Sequence, residues 1–435
     1  MKLNVKRTAL VGLAFMAISA FWGLYDFAVP LILKNTYALG ETLTGAVMAL
    51  DNIAALVLLP LFGALSDRRG RRTPFILWGS MAASALTLLL PFVVRQGMQA
   101  ERPGEGLLAF LTLQGLLLIA MGTFRSPTVA LMPDVTPRPL RSKGNAIINL
   151  MGTLGSALAL VLTNFLVMRA VNAAGQPVSD YTLLFVTVAC LMTASAWVVK
   201  ATIPEARLRA ETEAINARLA PEKAADAPAS RKLTPPERRS LVLLLCSVFL
   251  WFMAYNAVST AFSRYAIHVW GVTEGQAANC LLVATGAALI SYWPVGLLSS
   301  WIGRKNVILG GLAMLTIGFM AGCCLPGLSI AAFGAFALVG VGWAAIGVNS
   351  YPMVVELASG SDVGRYTGFY YTFSMAAQVA TPVLSGALME YAGYWTLFLY
   401  AVAMSCAALC TMLFVEHGDS QPVAKSGLEA LDVED

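Results

Sequence analysis

Two carboxylates, Asp26 and Asp51, and one guanidinium, Arg125, interrupt long apolar stretches of this chain. A charge held in hydrocarbon costs at least about 2.5–3.5 kcal/mol, so each of the three requires a reason. A carboxylate in a cavity reached alternately from two aqueous phases can take a proton on one side and discharge it on the other. A guanidinium beside it can neutralise the deprotonated form, or donate a fork of hydrogen bonds to hydroxyl groups. The plainer alternatives are that Asp26 and Asp51 are polar groups packing two helices together, and that Arg125 pairs with Asp134 or a nearby loop.

Trp22 and Tyr25 precede Asp26 on the same stretch, and Trp251, Tyr255 and Ser259 recur at four-residue spacing on another, with Asn256 beside them. Asn149, Asn349, Tyr371 and Gln378 add polar groups inside further apolar runs. Flat rings with amides and hydroxyls are what a sugar needs for recognition. The alternative for any one aromatic is packing, or the interfacial belt, as read for Trp270, Trp301 and Trp395.

The elements that position these residues follow from composition. Of 435 residues, 58% are hydrophobic and 12% charged, with mean hydropathy +0.71; soluble domains carry about 25% charge. The seven Cys lie within apolar runs and act as small hydrophobes rather than a disulfide framework. About 20 apolar residues span a bilayer as a helix. Twelve such runs are expected, at about 8–32, 42–65, 74–94, 107–131, 144–168, 181–201, 240–263, 274–299, 306–325, 328–350, 366–389 and 394–415. The chain reads as an all-α polytopic membrane protein. Asp26 and Asp51 then lie at similar depths, roughly 10 and 13 Å in from the outer ends of the first two spans at 1.5 Å per residue.

Orientation follows from the Lys and Arg residues. Most of the 29 collect on one side: Lys2, Lys6 and Arg7; Arg68 to Arg72; Arg138, Arg141 and Lys143; the segment from Lys200 to Arg239; and Arg304, Lys305, Arg365 and Lys425. That side, with both termini, is assigned to the cytoplasm. The first apolar run outlasts a signal-peptide core and reads as a retained helix.

The sequence also repeats. Gly63-Ala-Leu-Ser-Asp67-Arg68-Arg69-Gly70-Arg71-Arg72 returns as Gly296-Leu-Leu-Ser-Ser-Trp-Ile-Gly303-Arg304-Lys305. Arg141-x-x-Gly144 returns as Arg365-x-x-Gly368, Arg125-Ser126 as Asn349-Ser350, and Tyr25-Asp26 as Tyr255-Asn256. Two pseudo-symmetric six-helix bundles are expected, at 1–201 and 240–415. Between them lies a linker, 202–239, holding an amphipathic helix on the membrane surface. Its face is Leu208, Ile215 and Leu219, and a disordered cytoplasmic tail, 416–435, follows the second bundle. Asn256 is the neutral counterpart of Asp26, which puts coupling in the N-terminal half.

The Gly63–Arg72 motif resembles the loop between the second and third spans of the major facilitator superfamily. Gly70-Arg-Arg-Thr-Pro-Phe-Ile-Leu77, with Pro133-Asp134 and Arg141-Ser-Lys-Gly-Asn-Ala-Ile-Ile-Asn149, resembles the proton-coupled sucrose/disaccharide symporters. It is more distantly similar to the glycoside–pentoside–hexuronide cation symporters. The melibiose-type members of that group carry two Asp four residues apart before a Pro. Here Ala55 and Leu59 precede Pro60, which argues against that sodium site. The resemblance implies a secondary transporter working by alternating access, with Gly63, Asp67, Arg68, Gly70, Arg71, Arg72, Asp134 and Arg141 gating one half and Gly303, Arg304, Glu356 and Arg365 the other.

The function expected is proton-coupled sugar or glycoside symport in the bacterial inner membrane, by a monomer, with protons and a small molecule as partners. The alternatives are an antiporter exporting drugs or metabolites, and a non-transport sensor. Antiporters of the superfamily carry a Gly-Pro motif in span 5, where this chain has Gly152 and Gly155 but no Pro. No phosphate-binding Gly-x-x-x-x-Gly-Lys loop, metal-ligand spacing or nucleophile–base pair points to an enzyme, a metal or another cofactor. The net charge of +5 reflects topology and carries no nucleic-acid footprint.

Overall fold

A computed structural model describes residues 3–100, 105–137, 140–173, 175, 177–219, 233–357 and 363–418. Twelve long helices carry the chain: α1 (Val5–Asn35), α2 (Glu41–Arg69), α3 (Thr73–Met98), α4 (Leu107–Asp134), α5 (Arg141–Leu166), α6 (Thr182–Thr202), α8 (Pro235–Val269), α9 (Glu274–Ile302), α10 (Arg304–Cys324), α11 (Ile330–Glu356), α12 (Val363–Tyr391) and α13 (Thr396–Leu413). Among the described residues, eleven of these are long and apolar enough to cross a membrane. The exception is α12, which has 29 residues but spends several of them on Tyr, Thr and Ser. A helix satisfies most of its main chain internally, the condition for lying in lipid.

Helix ends follow local chemistry. Thr234 caps α8 in a capping box with Glu237, so that helix begins one turn before the apolar run. Gly70 ends α2 at φ +63°, in the left-handed region where a side chain is strained. Gly303, its counterpart in the repeat, sits at φ +88°.

The chain divides into two compact units. One is Met1–Leu219 with Thr273–Asn279; the other is Ala220–Val272 with Cys280–Asp435. In the first, α1 packs on α5 and α6, and α3 on α4 and α6; in the second, α8 packs on α12 and α13, and α10 on α11 and α13. The same partner scheme in the same chain order is the three-dimensional counterpart of the sequence repeat. The α1–α5 approach is close because Gly152 and Gly155 carry no side chain: a Cβ on Gly155 would run into the carbonyl of Met16.

Two features depart from expectation. The α5–α6 connection is not simply a loop. It forms an antiparallel hairpin of β1 (Met168–Val171) and β2 (Pro177–Asp180), tied to α3 by Arg95–Asp180 at 2.9 Å, by Gln99 to the Val171 carbonyl and by the Ala173 amide to the Met98 carbonyl. The second is α7 (Glu205–Leu219). Its Leu208 is buried in a cluster with Val11, Ile76, Leu131, Val135, Val199 and Ile203, so this helix is held by protein rather than laid on lipid through that residue. The Ala/Pro-rich stretch 220–232 and the tail from 419 lie outside the described residues.

Candidate functional site

The first unit gathers the intramembrane charges. Asp26 of α1 lies in the electrostatic field of both Asp51 of α2 and Arg125 of α4. Asp51 accepts a hydrogen bond from Asn52 Nδ2 at 2.9 Å. The Arg125 guanidinium stands 5.2 Å from the centroid of the Trp22 ring, a cation–π contact. Arg125 acts electrostatically on both acids, and Asp134 is bonded by Arg72. Tyr25, 1% exposed, meets Trp22 edge-on at 5.3 Å and receives a hydrogen bond from Gln114 Nε2 at 2.6 Å. Two carboxylates, one guanidinium and a phenol from α1, α2 and α4 thus lie within electrostatic reach of one another.

Gln114 was not among the sequence-derived candidates. Its signal was available, since it is a polar amide inside the apolar run 107–131. Gln114 Oε1 and Trp22 Nε1 are buried without a hydrogen-bond partner, an arrangement that costs free energy unless a bound molecule or water supplies the other half.

The second unit holds an aromatic group without charge. Tyr255 of α8 stacks on Trp343 of α11 at 3.9 Å with an interplanar angle of 10°, and Phe252 meets Trp343 edge-on. Trp251 is fully buried, and its Nε1, like Asn256 Nδ2, has no partner. Tyr371 packs against Tyr351 and Tyr370. Trp343, also missed from sequence, carries no repeat or motif to mark it. Asn349, the counterpart of Arg125, turns its Nδ2 back to the Ala345 carbonyl of its own helix at 2.8 Å. Asn149 and Gln378 are partly buried.

At the α2–α3 turn the motif residues form a network centred on Arg72, which is 5% exposed. Its Nε donates to Asp134 Oδ2 at 2.9 Å, and its terminal nitrogens donate to Asp67, to Ser66 and to the Gly63 carbonyl. A Cβ on Gly63 would crowd Ser126 Oγ at 2.8 Å. Arg68 and Arg71 are exposed and stand outside this network. Arg141 donates to the Thr136 carbonyl at 3.2 Å. Glu205 at the start of α7, not anticipated, accepts from the Arg72 and Thr73 amides and from the Thr73 hydroxyl. It caps the α3 N-terminus, where the helix dipole favours an anion. In the second unit Arg304 pairs with Glu356 at 2.5 Å, and Arg365 lies over the ring of Phe369 on its own helix.

Among the described residues no group of three or more His, Cys, Asp or Glu stands together as a metal site. A separate cavity of about 310 Å³ beside the hairpin, lined by Asn164, Arg169, Ser179 and Glu274 among others, shares no residue with the charged cluster.

Twelve long helices, a duplicated packing scheme and a Gly63–Arg72 network at the α2–α3 turn are now established, and the sequence matches the Major Facilitator Superfamily over residues 11–351 and 266–432. The chain belongs to the Major Facilitator Superfamily. It is an integral membrane transporter. Its fold is similar to that of the nucleoside transporter NupG, at TM-score 0.66 and 14% identity, covering 95% of this chain and 100% of that one. The peptide transporter POT in complex with sulfate gives TM-score 0.65 at 16% identity, covering 94% and 93%. A bacterial homologue of the human lysosomal transporter Spinster, in an inward-facing and occupied conformation, gives 0.63 at 14%, covering 95% of each. No curated protein matches. At these identities the likeness carries the fold alone.

Proposed function

We propose that this superfamily member is a proton-coupled symporter for a sugar or glycoside. The observation that supports the coupling is the acid pair: Asp26 lies in the electrostatic field of Asp51 and Arg125, at the position where the repeat carries the neutral Asn256. One permanent cation can balance one carboxylate. The second is then the group that gains a proton when the carrier loads and releases it afterwards. The support for the substrate class is the neutral ring-and-amide character of the group around Tyr255, with Tyr255 and Trp343 stacked and the Trp251 and Asn256 donors unpaired. Such donors await acceptor oxygens, and hydroxyls and ring oxygens supply them.

The test is uptake by vesicles holding the purified chain, with labelled disaccharides, glycosides, nucleosides and dipeptides offered in parallel. Accumulation of a sugar or glycoside under an imposed inward proton gradient, abolished by a protonophore, is expected. Accumulation of a dipeptide or nucleoside instead would reject the substrate class. Sugar accumulation insensitive to the proton gradient would reject the coupling.

A further inference from the structure

The cavity beside the hairpin measures about 310 Å³, at the lower end of the roughly 300–1,000 Å³ range of small-molecule sites. The residues that line it come from the end of α5, from β1 and β2 and from the start of α9, and all of them belong to the first compact unit. Its walls are held by contacts that need no ligand. Asn164 Nδ2 donates to Asn279 Oδ1 at 2.9 Å, and the Ser179 hydroxyl donates to Glu274. Gly275 lets α9 come close to Asn164, since a Cβ there would stand 2.6 Å from Asn164 Oδ1. The strands are tied to α3 through Arg95 and Gln99. A cavity built this way is formed before anything enters it, which lowers the cost of binding.

The polar groups of the lining define the occupant. Arg169 is exposed and pairs with no carboxylate among the described residues. Glu274 is half-buried and accepts from Ser179 through Oε1, which leaves Oε2 without a described hydrogen bond. A guanidinium and a carboxylate thus line one cavity without bonding each other. Glu274 disfavours a simple anion there, and Arg169 a simple cation. A hydroxyl suits both, since it donates to a carboxylate and accepts from a guanidinium. Val167, Pro177 and Val178 give apolar wall for the C–H groups that a sugar ring carries between its hydroxyls. A zwitterion would match the two charges, but an ion pair with a group as exposed as Arg169 contributes little. We propose that this cavity is a second carbohydrate site, which binds the transported sugar independently of the group around Tyr255. This rests on the sugar reading given above and adds a second location to it. In the orientation assigned from the Lys and Arg residues the hairpin is on the outer side, where the site meets sugar in the medium.

The experiment is equilibrium dialysis of the purified full-length protein against labelled sucrose, maltose and lactose, with labelled alanylalanine as the zwitterion. Two classes of saturable site are expected for at least one sugar. Val178→Trp, which fills the cavity, is expected to remove one class and leave the other. Glu274→Gln keeps an acceptor for Ser179 but removes the charge, and Arg169→Gln removes the guanidinium. Each is expected to weaken that same class about tenfold, the order of one hydrogen bond to a charged group. Trp343→Leu is expected to act on the other class alone. Should Val178→Trp fail to fold, the Glu274 and Arg169 substitutions decide the result. A single class of site, lost in Trp343→Leu and unmoved by the cavity variants, would overturn the proposal and spare the transport reading. Alanylalanine bound in the cavity in place of the sugars would overturn it as well. If no sugar binds saturably, the sugar reading and this proposal fail together.

Discussion

Arg72 at the start of α3 bonds Asp134 at the end of α4, Nε to Oδ2, at 2.9 Å. The guanidinium side chain is 7% exposed and the carboxylate 22%, so the pair is shielded enough that losing one partner strands the other. Breaking a buried ion pair from one side costs about 3–5 kcal/mol, and the partial exposure of Asp134 places this pair toward the lower end. Arg72→Ala, which also releases Asp67, Ser66 and the Gly63 carbonyl, is expected to lower the melting temperature in detergent more than Asp134→Asn or Asp67→Asn. Asp67, being exposed, is expected to affect transport more than stability. In a double-mutant cycle Arg72 and Asp134 should couple measurably; additive effects would reduce the network to a topology anchor.

Glu205 ties the segment after α6 to the same turn, since its carboxylate receives the Arg72 and Thr73 amides. Helix α7 is otherwise held by Leu208 in the core and by Arg209 on the Gly70 carbonyl at 3.1 Å. Glu205→Gln keeps the shape and removes the charge. It is expected to increase hydrogen exchange across α7 and at the first amides of α3, leaving α8 to α13 unaffected. Unchanged exchange in α7 would mean that Leu208 and Arg209 dock the helix without the charge of Glu205.

The spans and the intramembrane charges were legible in the sequence because each rests on one strong physical term: apolar length for the helices, and the cost of burying charge for Asp26, Asp51 and Arg125. The Arg72 network was legible in part. Its motif named the residues, but the spacing could not show that Arg72 and not Arg68 or Arg71 turns inward. Residues whose role depends on a partner from another helix were less visible. Gln114 and Gln378 look alike in sequence, each an amide in an apolar run, and only the fold puts a phenol against the first. The amphipathic pattern of α7 was read correctly as a helix, yet it could not say whether protein or lipid covers Leu208. The strands of the hairpin have four residues each, too few for an alternating pattern to stand out.

The hairpin supplies a pH prediction. Burial by itself pushes the Asp180 carboxyl up, but hydrogen bonds from Thr182 and Arg95 outweigh it and hold the group below its ordinary value. A carboxylate depressed in the folded state stabilises above its unfolded pKa of about 3.9, and that contribution is lost as pH falls through the lower native value. Pepsin, active in acid, is therefore expected to cut within 168–180 far faster at about pH 2.5 than at about pH 4. Asp180→Asn is expected to cut at similar rates at both, after correction for the protease's own activity. Equal protection of the wild-type hairpin at both values would show that the backbone ladder alone holds it.

The coupling assignment makes the strongest demand on the molecule. In the proposed cycle the loaded carrier reorients with its proton aboard, and the empty carrier returns only after releasing it. Asp26→Asn imitates the permanently protonated state. Such a carrier can still bind substrate and exchange it for preloaded substrate across the membrane, because the loaded step involves no proton release. It cannot concentrate substrate, because its empty form is trapped. Asp26→Asn vesicles are therefore expected to retain counterflow within a few-fold of wild type while losing accumulation driven by an imposed pH gradient. Asp51→Asn distinguishes the two acids that share the field of Arg125. If Asp51 is the carrier of the proton, the two phenotypes change places, and Asp26→Asn vesicles go on concentrating substrate under the gradient. That result would make Asp26 a packing residue between α1 and α2 and move the coupling to the second helix.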